Sequence, residues 1–267
     1  MYPQRAAKTS IRPYAIVAGE ISSMRRTLGF IVGLSCLNAV HAAEATGDYV
    51  VAYSETHPFA AGLGAFLTEA YRRVGQPITL KAFPPGRSVE LANRGEVDAE
   101  AARVPDAMDR MTGLIVVPEP LGLGDTFAYT TGRDIPIEGW ESLRGYRLCV
   151  MLGDLITMRR TEGMTREVAH DGTSQFRMLA SGRCEVAISD GAAWLVIDRQ
   201  HLGRFRMMDR PIQSAPIYHY VNRRHAELVT PLALAFKTLR EEGFSQSLLT
   251  PYLAQIRESR ARNSVQP

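Results

Sequence analysis

A two-part grammar recurs in this chain. In Arg87–Pro105, RSVELANRGEVDAEAARVP, an apolar face at Val89, Leu91 and Ala92 runs up to Gly95. A glycine there ends a helix, because it enters the left-handed region without a Cβ penalty. Glu96-Val97-Asp98-Ala99 then starts a short strand, followed by the charged pair Glu100 and Arg103. Eighty-eight residues after Leu91 the pattern returns at Leu179: Phe176–Ala180, then Ser181-Gly182-Arg183, then Cys184–Asp190. Each copy reads helix, glycine, strand, charged residue at the strand's end. Two such units predict two α/β lobes, with polar groups at the strand ends where sheets of this kind hold ligands. Taken singly, a helix-glycine-strand unit fits any α/β protein.

The 267 residues suffice for two lobes with separate cores. The net charge of +3 is unevenly placed: residues 1–42 carry five basic and one acidic residue, leaving 26 basic and 27 acidic behind them. The remainder is near neutral and holds no basic patch interleaved with aromatics, so nucleic acid is not an expected partner.

Met24-Arg25-Arg26, the apolar run Leu28–Leu37 and the small residues of Val40-His41-Ala42 form the three parts of an export signal. Cleavage is predicted after Ala42 and translation from Met24, and the apolar run is far short of the roughly 20 residues of a membrane span. A buried N-terminal helix is the alternative. Cys36 follows Leu34-Ser35 in only a faint lipoprotein pattern, with Gly33 three positions before it. The chain left after cleavage keeps Cys149 and Cys184. In an oxidising compartment they are either bridged, if their Cα atoms lie within about 7 Å, or two buried free thiols, and the free-thiol reading is preferred. No Cys/His cluster at ligand spacing calls for a metal, and no cofactor is expected.

Periodicity places a strand at Asp48–Glu55, a helix at Ala60–Val74 and a strand at Ile78–Phe83 ahead of the first copy. Strands follow at Leu114–Val117 and Thr126–Thr131, with 121–125 read as a loop. Gly/Pro punctuation from Pro118 to Pro136 marks a crossing between lobes, and Pro211-Ile212 the return. The predicted division is residues 1–42 cleaved, 43–122 plus 212–258 as lobe 1, 123–211 as lobe 2, and 259–267 a flexible tail.

This order, with two crossings and a C-terminal return, resembles the family 3 solute-binding proteins, the periplasmic receptors of amino acid uptake systems. The likeness is carried by Tyr49–Gly75, by the first helix-Gly-x-x-Asp strand, by Trp140–Gly145 with YRLCVMLGD, and by Leu179–Asp190. It spans about residues 48–257. It implies an α/β, two-lobed type II periplasmic-binding-protein fold, each lobe a mainly parallel sheet flanked by helices. It also implies hinge closure on a small polar, amino-acid-like solute and delivery to an inner-membrane ABC permease, with a membrane sensor as the alternative partner. A periplasmic monomer is expected.

The sequence departs from that pattern. The family's Thr-x-x-Arg, whose Arg clamps a ligand carboxylate, is not plainly present; Arg103 is the nearest candidate and Arg110 the alternative. Gly153-Asp154 stands where Gly-Thr or Gly-Ser is usual, which sets a carboxylate where an anionic ligand group would sit.

The candidate ligand-binding residues are Glu55, Arg87, Glu100, Arg103, Asp154 and Asp190. Arg103 offers a rigid fork for a carboxylate, or it pairs with Glu100 or Asp106. Arg87 opens a helix, a poor place for a cation, or lies on a solvated face. Asp190 receives a ligand ammonium, caps the helix at Ala192, or does both. Glu55 and His57 flank the first turn. Tyr53 and Tyr218 are cleft walls or core. No catalytic motif is present, so the chain is not expected to be an enzyme. A few members of this fold are dehydratases, for which Glu55, Glu100, Asp154 and Asp190 would supply acid and base.

Overall fold

A computed structural model describes residues 49–55, 59–84 and 86–265. The export segment, the Met24 start, Cys36 and His57 lie outside them.

The chain opens with β1 (Tyr49–Ser54), α1 (Ala60–Arg73), β2 (Ile78–Phe83), α2 (Arg87–Arg94), β3 (Ala99–Arg103) and β4 (Leu114–Val116). Strand β5 (Gly122–Thr130) leads into β6 (Leu148–Met151), α3 (Leu155–Arg160), β7 (Arg166–Ala169), α4 (Gly172–Ala180), β8 (Val186–Asp190), α5 (Ala193–Arg199) and β9 (Arg206–Met207). Strand β10 (Gln213–Asn222) returns, and α6 (Val229–Glu241) and α7 (Phe244–Asn263) close the chain.

The pairings repeat. Lobe 1 runs β2-β1-β3-β10-β4 and lobe 2 runs β7-β6-β8-β5-β9. In each, the first three strands are parallel and the last two pairings antiparallel, so the sheets are mixed. Strands β5 and β10 cross between the lobes and pair antiparallel with each other, Gly122–Thr126 against Gln213–Ile217. The loop expected at 121–125 is therefore mostly strand. Its glycines misled the reading: a Cβ on Gly124 would come within 2.9 Å of Ile217 Cδ1, so the crossing strands approach more closely there than a side chain comfortably allows.

The sequence repeat has a structural basis. Gly95 and Gly182 end α2 and α4 at φ 74° and 72°. Three residues on, Asp98 Oδ2 accepts the N–H of Val50 at 2.7 Å and Glu185 Oε2 accepts that of Arg147 at 3.0 Å. Each carboxylate thus ties the entry of its lobe's third strand to that of its first. Asp98 also binds Arg224 and, at 2.7 Å, His225, fastening the end of β10. Partial burial pushes its carboxyl up, but hydrogen bonds from the Val50 N–H, Arg224 and His225 and the Arg224 charge outweigh that and hold it below the usual range.

Each lobe has apolar clusters made by different sets of helices. In lobe 1, α1 and α6 pack Leu63, Phe66, Leu67, Leu232, Phe236 and Leu239 with Val51 and Ala101, while α2 packs Val89, Leu91 and Ala92 with Ala52. Tyr53 packs beside the first cluster and Tyr218 beside the second. In lobe 2, Leu143, Leu148, Val150 and Ile188 form one cluster; Phe176, Leu179, Trp194 and Phe205 form the other. Cys149 and Cys184 are disulfide-bonded with Cα atoms 5.6 Å apart, which overturns the preferred free-thiol reading. Register explains it, since β6 and β8 are neighbours and Cys184 lies just ahead of β8.

The charged C-terminal segment is helical as far as Asn263. Helix α7 packs on α5 of lobe 2 as well as on α1 and α6 of lobe 1. Asp198 accepts from Arg262 at 2.6 Å and Asn263 at 2.8 Å, and Ser264 bridges Phe205. No described helix is long and apolar enough to cross a membrane.

Candidate functional site

The C-terminal ends of β1, β3, β6 and β8 face a cleft of about 220 Å³ between the lobes, with the crossing strands along it. Strand ends gather here because the chain leaves a parallel strand at its carboxyl end and must turn away, exposing loops and helix starts. Lobe 1 contributes Ser54 and Arg103, and lobe 2 contributes Gly153-Asp154 and Ser189-Asp190. Asp125, Thr126 and Gln213 come from the crossing strands.

Arg103 and Asp190 are the last residues of the equivalent strands β3 and β8. Arg103 Nε lies 2.9 Å from Glu100 Oε1, within ion-pair range but without hydrogen-bond alignment, and Nη2 donates to Ser88 Oγ at 2.9 Å. Glu100 is 1% exposed and its Oε2 has no hydrogen-bond partner among the described residues. Burial pushes its carboxyl above the usual carboxylate range, against the pull of Arg103 and Ser88. The guanidinium of Arg103 is thus answered from behind by a buried acid.

Asp154 caps α3. Oδ1 accepts the Thr157 N–H at 3.1 Å and Oδ2 the Thr157 hydroxyl at 2.6 Å. Asp190 Oδ1 accepts the Ala192 N–H at 2.9 Å while its residue lines the cleft; α5 starts after Ala192 without a side-chain cap, so Asp190 ties the turn ahead of the helix rather than capping it. Asp125 Oδ1 accepts from Ser214 Oγ at 2.5 Å, and Gln213 Oε1 accepts the Trp140 indole N–H at 2.7 Å.

Of the six candidates, Arg103, Asp154 and Asp190 line the cleft. Glu100 supports Arg103 from the interior. Glu55 is exposed beyond β1 and Arg87 is half-exposed, 3.8 Å from Glu90; neither lines the cleft. Arg110 is exposed and also outside it. Arg103 takes Glu100 as its partner rather than Asp106, which pairs with Arg160. The reading from sequence missed Asp125, Thr126 and Gln213. Their signal was the alternation of Thr126–Thr131, which stops short of Asp125 only because glycines interrupt it.

Among the described residues, the wall accordingly carries Asp125, Asp154 and Asp190 against Arg103. Charge of one sign along a cleft favours a solute of the other.

No family model matches the chain. An uncharacterized protein of Shewanella oneidensis is 23% identical over 184 residues, covering 66% of this chain and 70% of that one. Among solved structures, a histidine kinase sensor domain with similarity to periplasmic binding proteins aligns with TM-score 0.67 at 16% identity, over 77% of this chain and 96% of the other. An ancestral arginine-binding protein bound to arginine aligns with TM-score 0.62 at 15% identity, over 77% and 97%. The strand order of both lobes, the two crossing strands and these alignments together identify the fold as the two-lobed type II fold of the periplasmic binding proteins.

Proposed function

We propose that the protein is an exported receptor of the solute-binding family, which captures a small polar solute between its lobes and presents the closed form to a membrane partner. The observation that carries this reading is a cleft walled by strand ends of both lobes and by both crossing strands, so that one solute touches all three. Such a solute favours the closed state because only that state offers every contact; a ligand with equal affinity for open and closed forms shifts nothing. Export of residues beyond Ala42 and a periplasmic location belong to the proposal. The partner is an inner-membrane ABC permease; the alternative, a membrane sensor, draws support from the alignment with a kinase sensor domain.

The test is thermal unfolding of the purified protein against a library of amino acids, amines, small carboxylates and oligopeptides. A ligand at 100 times its Kd adds about 2.7 kcal/mol, a rise of several degrees in a chain of this size. The hit is expected to weaken in Asp190→Ala. A hit that is turned over to product replaces the receptor with the dehydratase-like reading, and no hit across the library removes small-solute capture.

A further inference from the structure

A second chamber of about 420 Å³ lies between α1, α7 and the crossing strands. Its walls are apolar: Leu63 and Phe66 of α1, Phe127 of β5, and Leu249, Tyr252 and Ile256 of α7. Among the described residues lining it, only Asp125 and Asp190 are charged, and both also line the polar cleft. So do Ala102, Gly124 and Ile217, which makes these five residues a shared boundary between the two spaces. Apolar wall facing water leaves a burial free energy unrealised, which an apolar group entering the chamber would gain. Carboxylates at its boundary select what is attached to that group: they attract a cation and repel an acid. Among the described residues of the cleft, two charged groups are already engaged. Arg103 is ion-paired with buried Glu100, and both oxygens of Asp154 are turned to Thr157 at the start of α3.

We propose that the solute is a small amine bearing an apolar chain, with its ammonium at Asp125 and Asp190 and its chain in the chamber between α1 and α7. This rests on the receptor reading and narrows its ligand. Helix α7, which packs on both lobes, forms one wall of the chamber, so the apolar group would report its presence to the hinge as well as to the cleft.

The experiment is calorimetric titration of the purified protein at pH 7 with propylamine, pentylamine and heptylamine, alongside heptanoate, heptanol and putrescine. Affinity is expected to rise about two- to fourfold per methylene. Heptylamine should bind at least about tenfold tighter than heptanoate, since two carboxylates at the boundary attract the ammonium and repel the acid. Asp190→Asn and Asp125→Asn should each weaken heptylamine about tenfold, whereas Leu249→Gln should flatten the dependence on chain length. Unfolding curves on each variant confirm that it is folded, and either Asp variant suffices if the other is not. Equal binding of heptanoate or heptanol overturns the amine assignment. Putrescine binding with no gain along the alkylamines overturns the chamber's role but leaves the receptor standing. If the alkylamines fail while another library solute binds, the inference falls alone; if no solute of any class binds, the receptor reading falls with it.

Discussion

His219 is fully buried in lobe 1 and makes two hydrogen bonds there. Its Nδ1 lies 3.0 Å from the Ala101 carbonyl, which can only accept, so Nδ1 carries the proton. Nε2 then accepts the Tyr71 hydroxyl at 2.7 Å, and Tyr49 OH lies 3.3 Å from Tyr71 OH. Burial disfavours the imidazolium and brings the pKa down to about 4, from 6.5. The sign follows from linkage. Above pH 6.5 both folded and unfolded forms hold this ring neutral, and its contribution is complete. Between 6.5 and about 4 the unfolded chain binds a proton that the folded chain refuses, so stability falls with pH. The loss reaches about 3 kcal/mol at most, on a scale of 1.36 kcal/mol per unit. Urea unfolding from pH 7 to 4 should show this decline, and His219→Phe, less stable at pH 7 through the lost Tyr71 bond, should decline less steeply. Parallel slopes for the two proteins would place the acid sensitivity elsewhere.

At the level of elements, the two helix-glycine-strand units are alike in backbone but not in surroundings. A Cβ on Gly95 would sit 3.2 Å from Arg224 Nη1 and 3.3 Å from Asn222 Nδ2, whereas one on Gly182 meets nothing within 4 Å. Both glycines have positive φ, so an alanine at either costs about 1–2 kcal/mol from conformation alone. Gly95→Ala should exceed Gly182→Ala, because it also disturbs the Arg224 and Asn222 contacts that fasten β10 beside α2. Chemical denaturation of the two variants measures the difference, and equal losses would show that these contacts yield without cost. The disulfide adds to the asymmetry: Cys149–Cys184 tethers the second unit to its sheet, where the first relies on Asp98 with Arg224 and His225.

For the whole molecule, ion pairs outside the cleft lining join the two lobes. Asp109 and Asp106, on the loop after β3, pair with Arg159, at 2.9 Å, and Arg160 in the last turn of α3. A Cβ on Gly86 would lie 3.9 Å from the Gly153 Cα on the other lobe, so the backbones also approach there. These ion pairs are partly exposed, and each is therefore modest and screened by salt. Together they should favour the closed arrangement severalfold at low ionic strength. Inter-lobe energy transfer on Asp106→Asn/Asp109→Asn should show a more open population than the parent in dilute buffer, and the two should converge near 1 M salt. A difference that persists in high salt would mean the substitutions act on packing rather than on charge.

Local pattern sufficed for the elements and their order. The apolar stripe of α1 at Leu63, Phe66, Leu67, Ala70 and Tyr71 is a 3.6-residue repeat that any buried helix must show, and the glycines after α2 and α4 are needed wherever a helix turns sharply into a strand. Arg103, Asp154 and Asp190 were legible as cleft residues because each stands where a strand ends or a helix starts. What the pattern could not carry was pairing. Cys149 and Cys184 meet only because β6 and β8 lie side by side, and Gly122–Asp125 is a strand only because β10 returns against it. Glu100 and Arg103 sit three residues apart in either case, yet burial of one and partial exposure of the other turns a candidate ligand pair into a cation with its own counter-ion. The chamber beside Asp125 and Asp190 exists because α7, the last helix, folds back across both lobes. Sequence spacing encodes hydrogen bonds and faces within an element, but which groups lose their water together depends on contacts between residues far apart in the chain, and only the assembled lobes determine those.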